Sequence, residues 1–163
     1  EEIVMTGRTP YQGRFEGTSI GDKEAVYRAF SLTKADKLKN KKFAILSGGE
    51  KQKIVIARAV AQTTPWMLLD EPIASLDIKN QIEIMQTLSE LNRQEGVSVL
   101  MVLHDINLAG IYCDRLIMLK DGQVIAAGNT NECLCEENLK KLYDISFFHM
   151  DTKKGQRYYY AEI

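Results

Sequence analysis

Trp66-Met67-Leu68-Leu69-Asp70-Glu71-Pro72 is an apolar run that stops at two carboxylates and a proline. It reads as a fully buried strand whose last residues turn acidic. Downstream, Ile78, Ile82, Met85, Leu88 and Leu91 recur at nearly helical spacing and predict a helix over Ile78–Glu95, closed by Gly96. Val97–Leu103 is a second apolar strand, ending at His104-Asp105. Strand, helix, strand with continuous apolar strands predicts a parallel sheet and hence an α/β class. Ligands of such sheets sit at the carboxyl ends of the strands. Those ends carry Asp70, Glu71 and His104.

Working upstream, Leu46-Ser47-Gly48-Gly49-Glu50 precedes Lys51–Ala61, rich in helix formers, with Ser47 placed to cap the helix. A lysine-rich link over residues 37–42 reads as a solvated loop. Before it, Asp22 is the expected N-cap of a helix over Lys23–Leu32. Residues 1–21 hold Gly7, Pro10, Gly13, Gly17 and Gly21 and read as loop after a short lead-in. Downstream of His104, a helix is expected near Asn107–Tyr112. Arg115–Leu119 and Gln123–Ala127 flank Lys120-Asp121-Gly122 as a hairpin. A short helix over Glu136–Tyr143 and a terminal hairpin, Ser146–Met150 with Gln156–Glu162 across Lys153-Lys154-Gly155, complete the chain.

Composition narrows the class. Of 163 residues 45% are hydrophobic and 26% charged, the balance of a globular rather than a disordered chain. Net charge is −1, so the broad basic field wanted by non-specific nucleic-acid binding is missing. The longest purely apolar stretch, Val99–Leu103, falls far short of the roughly 20 residues a membrane helix needs. Cys113, Cys133 and Cys135 have no matching zinc-ligand cluster and read as reduced thiols of an intracellular protein. The opening Glu-Glu-Ile has no initiator Met and no signal-peptide pattern, which suggests a fragment.

Paired carboxylates at a strand end suit phosphate chemistry with a divalent metal: Asp70 on the metal side, Glu71 orienting a nucleophilic water. An apolar strand that merely ends in polar residues gives the same letters. Ser-Gly-Gly before a helix is an anion cradle, built from exposed backbone N–H groups and the positive end of the helix dipole. A turn with an N-cap reads identically. His104 suits contact with a terminal phosphate, or is simply a polar neighbour.

Taken in order, Leu46-Ser47-Gly48-Gly49-Glu50-Lys51-Gln52, the apolar run into Asp70-Glu71-Pro72, Ser75-Leu76-Asp77 and His104 resemble the ATP-binding cassette (ABC) ATPases. The resemblance covers nearly the whole chain. It implies an α/β, partial P-loop NTPase fold: a parallel-sheet core half, part of the helical signature subdomain, and C-terminal β-hairpins. Residues 1–62 would be the helical portion with the signature motif, Ser47–Glu50. Residues 63–163 would hold Walker B at Met67–Asp70, the catalytic Glu71, the D-loop at Ser75–Asp77, the switch histidine His104 and the terminal hairpin. The stretch Gly7-Arg8-Thr9-Pro10-Tyr11-Gln12-Gly13-Arg14-Phe15, with Leu103–Asn107, looks most like subunits that power import of iron-siderophores, haem and cobalamin.

That resemblance implies ATP and Mg²⁺ as cofactors. It also implies a second ATPase subunit in a homodimer, transmembrane permease subunits as partners, no nucleic acid, and a peripheral place on the cytoplasmic face of the cell membrane. In the dimer Ser47, Gly48, Gly49 and Glu50 would face the γ-phosphate of ATP held by the other subunit. Asp70 would hold Mg²⁺, Glu71 and His104 would act on the attacking water and the γ-phosphate, and Asp77 would couple the two sites. No Gly-x-x-x-x-Gly-Lys-Ser/Thr occurs, so the phosphate-cradling P-loop is absent from this sequence. The chain thus looks like the C-terminal two-thirds of such an ATPase, expected to be inactive alone and to self-associate or repack its N-terminal residues over an uncovered sheet. Two other readings stand beside this one: a non-catalytic structural or dimerisation module, and an ATPase of the DNA-repair or chromosome-maintenance type. The second usually carries coiled-coil arms, and no sustained heptad appears here.

Overall fold

A computed structural model describes residues 1–13, 17–153 and 155–162. Arg14 and Phe15 of the stretch quoted above, and Lys154 of the last expected turn, lie outside the described residues. The chain divides into two compact units, Glu1–Val102 and Leu103–Ile163. The division expected at 62/63, one of subdomain rather than of packing, belongs to the reading proposed below.

In the first unit, α1 (Glu2–Met5) runs into a 3₁₀ turn over Thr6–Tyr11, where loop was expected. Pro10 sits inside that turn, and Val4 is buried. Helix α2 spans Ile20–Leu32 and is capped by Ser19 rather than Asp22. Ser19 Oγ accepts the Asp22 N–H at 3.1 Å, and Asp22 Oδ2 accepts the Ser19 N–H at 3.0 Å. This capping box starts the helix earlier than a cap at Asp22 would allow. Helix α3 spans Gly48–Val60. Val4, Val26, Ala29, Phe30, Ile54 and Ala57 join in one buried cluster that holds α1, α2 and α3 together.

Strand β1 (Trp66–Leu69), helix α4 (Ile78–Glu95) and strand β2 (Ser98–Met101) follow. The strands pair in parallel, Trp66 opposite Ser98 and Leu69 opposite Met101, as strand–helix–strand patterning predicts. Gly96 ends α4 in the left-handed conformation, φ 68°, which lacks a Cβ penalty only for glycine. The expectation of fully buried strands fails. Met67 is buried, but Trp66 is 62% exposed, Leu68 72% and Leu100 53%. Alternate residues of a strand point to opposite faces, so these three share the face turned from Met67. Among the described residues, the N-terminal segment packs on the helical cluster and leaves that face open, so the expected repacking over the sheet is not seen there. The α4 stripe is also shifted: Ile84, Met85, Leu88 and Leu91 are buried, while Ile78 and Ile82 at its start are exposed.

The second unit opens with α5 (Ile106–Tyr112) and the antiparallel hairpin β3 (Arg115–Lys120) and β4 (Gln123–Asn129), as read from Lys120-Asp121-Gly122. A short α6 (Thr130–Cys133), absent from the sequence reading, leads to α7 (Glu136–Tyr143). The closing hairpin is β5 (Phe147–Asp151) with β6 (Arg157–Ala161). Met118, Cys133, Leu134, Leu139, Phe147 and Tyr159 form this unit's core. Among the described residues no helix is long and apolar enough to cross a membrane.

Candidate functional site

Ser47 is the N-cap of α3, bonded to Glu50 through both its side chain and its backbone. Its Oγ accepts the Glu50 N–H at 3.3 Å, while its own N–H donates to Glu50 Oε2 at 2.9 Å. An accepting hydroxyl keeps its proton to donate elsewhere. The other Glu50 oxygen takes Lys41 Nζ at 2.9 Å. The Ser47 N–H, and after it Lys41, hold the Glu50 carboxyl below its usual range. Glu50 thus serves the cap itself, its charge offset by Lys41.

Gly48 and Gly49 occupy the first two helical positions, whose N–H groups have no acceptor inside the helix. Gly48 is exposed and Gly49 buried. A Cβ on Gly48 would meet only Leu76 Cδ2, at 3.6 Å. On Gly49 it would lie 2.2 Å from Asn80 Oδ1 and 2.5 Å from Asn80 Cγ. The sequence reads these two glycines as equivalent; their surroundings separate them.

Asn80 reaches Asp77 as well. Asp77 caps α4, its Oδ1 accepting the Asn80 N–H at 2.9 Å and its Oδ2 accepting Asn80 Nδ2 at 2.8 Å. Those two hydrogen bonds, backbone first, hold the Asp77 carboxyl below its usual range. Ser47–Gly49 and Leu76–Asp77 are thereby brought together around one side chain. No sequence signal marks Asn80, because the contact is tertiary.

Asp70 and Glu71, both exposed, follow β1 directly at its carboxyl end. Glu71 has φ 43°, a left-handed conformation that costs a non-glycine residue about 1–3 kcal/mol and gathers at functional sites. The turn after it is pinned by the Ala74 N–H on Glu71 O at 3.3 Å and by Gln81 Nε2 on Ile73 O at 3.2 Å. Among the described residues no group of three or more His, Cys, Asp or Glu is placed to hold a metal. A single strand-end carboxylate fits Mg²⁺, which keeps several waters and takes its other ligands from phosphates.

His104 belongs to the second unit, exposed just before Asp105, the N-cap of α5. Asp105 Oδ1 accepts the N–H groups of Asn107 and Leu108 at 2.8 and 2.9 Å. Asn107 in turn exchanges two amide bonds with the Tyr159 backbone at 3.0 and 2.8 Å, which ties the start of α5 to β6.

The family model described as ABC transporter matches residues 5–74. The ferric enterobactin transport ATP-binding protein FepC of Escherichia coli K12 is 39% identical over 151 residues, covering 93% of this chain and 56% of that protein. A siderophore transport system ATP-binding protein of Bacillus subtilis 168, YusV, is 39% identical over 145 residues, 89% of this chain and 53% of its own length. The structure of an ABC transporter assigned to the metal-chelate type, in an inward-facing conformation, superposes with a TM-score of 0.92 at 27% identity. That match covers 99% of this chain and 65% of the other. The dimeric structure of a bacterial ABC transporter cassette superposes at 0.65 with 33% identity, over 80% of this chain and 55% of the other. The chain spans about half the length of the curated relatives it matches. In fold the chain is part of an α/β ATP-binding cassette, and in sequence it is similar to ATP-binding proteins of siderophore and cobalamin importers.

Proposed function

We propose that this chain is the signature and Walker B part of an ATP-hydrolysing subunit that powers import of an iron-siderophore or a related metal chelate. The observation that carries the catalytic half is Glu71, exposed in a left-handed conformation at the carboxyl end of a parallel strand, directly after Asp70. Relatives named for ferric enterobactin and hydroxamate transport support the cargo class.

When bound, Mg·ATP supplies the phosphoanhydride to be cleaved and a metal that offsets its charge. Asp70 is the residue that would hold the metal, through oxygen and water. The Glu71 carboxylate orients the attacking water and takes up its proton. Ser47 donates its hydroxyl proton, and Gly48 and Gly49 their N–H groups, to a γ-phosphate bound by a second subunit. Glu50 holds that turn in shape, Asp77 couples the two subunits, and His104 steadies the γ-phosphate. Residues 1–62 serve as the helical portion and 63–163 as the catalytic portion. The partners are a second copy and membrane-spanning permease subunits, placing the assembly at the cytoplasmic face of a cell membrane. Without a P-loop in the sequence, the chain by itself neither binds Mg·ATP tightly nor turns it over.

The trans role of the glycine turn is the part open to direct test. In the full-length ATPase, Gly48→Asp sets a negative charge where the γ-phosphate of the other subunit must come. ATP titration should show monomer binding retained while ATP-driven dimerisation is lost. Equal loss of both would contradict the trans assignment.

A further inference from the structure

Asn80 lies outside every motif read from the sequence, yet it touches two of them. It is the third residue of α4, and Asp77 Oδ1 takes its N–H in the ordinary manner of an N-cap. The second bond, Asn80 Nδ2 to Asp77 Oδ2 at 2.8 Å, is not required by capping. With both oxygens bound to one residue, the carboxylate of Asp77 is fixed in rotation as well as in position. Donating its NH₂ to Asp77 leaves the Asn80 carbonyl on the other side, and that side is Gly49. A Cβ at Gly49 would stand 2.2, 2.5 and 3.1 Å from Asn80 Oδ1, Cγ and Cβ, so only glycine permits the approach. Leu76 adds a methyl 3.6 Å from the Cβ position of Gly48.

We propose that Asn80 is a positioning residue that locks the buried glycine of the signature turn to the D-loop aspartate, so that the two shift as one body. The proposal rests on the functional reading above and deepens it. Both glycines then offer N–H groups to the ligand, while the missing side chain of Gly49 makes room for Asn80. A movement of Asp77 at the dimer face is passed through one rigid amide to the N–H groups at the start of α3, and the reverse holds equally. A carboxylate at position 80 keeps the shape but loses the donor and sets like charge against Asp77. Alanine removes the amide and opens part of the space at Gly49, leaving a Cβ–Cβ approach of 3.1 Å.

Two measurements decide it. In the first, thermal unfolding of this chain is followed for Gly49→Ala, Asn80→Ala and the double variant. Gly49→Ala should lower Tm, and the double variant should regain about half of that loss or more, because contacting residues are not additive. A double variant as unstable as the two single losses summed would overturn the claim that Asn80 excludes a side chain at 49. In the second, the full-length ATPase carries Asn80→Ala or Asn80→Asp. The expected result is kcat lower by roughly 10-fold or more with KM for ATP little changed. Unchanged kcat in both variants would overturn the coupling role. Glu71→Gln runs alongside: if it leaves turnover intact, the functional reading fails, while the unfolding cycle still decides whether Asn80 holds Gly49.

Discussion

The Arg8 guanidinium and the Asp22 carboxylate meet at 2.9 Å with side chains only 12% and 5% exposed, joining the N-terminal 3₁₀ turn to the first turn of α2. The same guanidinium donates through Nη1 to Ala61 O at 2.9 Å and to Thr63 Oγ1 at 3.1 Å. Ala61 is the C-cap of α3, so Arg8 satisfies a carbonyl at the negative end of that helix. Tyr11, stacked against Arg8 at 4.0 Å, donates its hydroxyl to the next carbonyl, Gln62 O. The Gly-Arg-x-x-Tyr stretch thus holds the far end of the helix whose near end is the glycine turn.

Acid should loosen this clamp. Asp22 is held below the ordinary carboxylate range first by the Arg8 hydrogen bond, then by the Ser19 hydroxyl and N–H. A carboxyl with a depressed folded-state pKa contributes its full stability above the unfolded value of about 3.9 and loses it as pH falls through the folded value. Tm should therefore fall below about pH 4 in the wild type, and more gently in Arg8→Met, whose Tm at neutral pH starts lower. Parallel pH curves for the two would show that the pair is not linked to folding.

Gly7 and Gly21 should respond to alanine with opposite signs. A Cβ on Gly7 would stand 2.2 Å from the Arg58 carbonyl oxygen of α3, so Gly7→Ala forces backbone apart and should cost about 1–3 kcal/mol. On Gly21, in the first turn of α2, the nearest atom is Ser19 Oγ at 3.8 Å. Gly21→Ala there should gain about 0.5–1 kcal/mol from helix propensity. Chemical denaturation of both variants reads the two signs.

Much of this was legible in the letters, and what was not has physical causes. Capping chemistry and periodicity are local, so Ser47 at the head of α3, Gly96 at the end of α4 and the hairpin at Lys120-Asp121-Gly122 emerge from neighbours in sequence. Asp22 misled because two acceptors compete for one helix start: Ser19 caps, and the carboxylate is drawn to Arg8, fourteen residues away. Glycine and proline over residues 1–13 suggested loop, yet Gly7 is there for close approach to α3 and Pro10 fits a 3₁₀ turn. The face of Trp66, Leu68 and Leu100 shows the limit of reading burial from an apolar run, since a continuous run fixes the strand but not what covers each side. Gly49 and the left-handed φ of Glu71 depend on tertiary packing that no spacing rule encodes.

That open face should govern the behaviour of the chain in solution. Trp66, Leu68 and Leu100 form an exposed apolar surface on a two-stranded sheet, and such surfaces associate. Light scattering should show concentration-dependent oligomers, reduced in Leu68→Lys/Leu100→Lys, and calorimetry with Mg·ATP should show no micromolar binding. Clean monomeric scattering with micromolar binding would mean that the chain needs neither cover nor a P-loop.

The most direct measurement is ATP turnover by the full-length ATPase carrying Glu71→Gln. The substitution keeps the side chain's size and removes its ability to take a proton. The account predicts that ATP still binds and that hydrolysis slows on the order of 10²-fold or more. Turnover near the wild-type rate would contradict the assignment of Glu71 as the residue that acts on the attacking water.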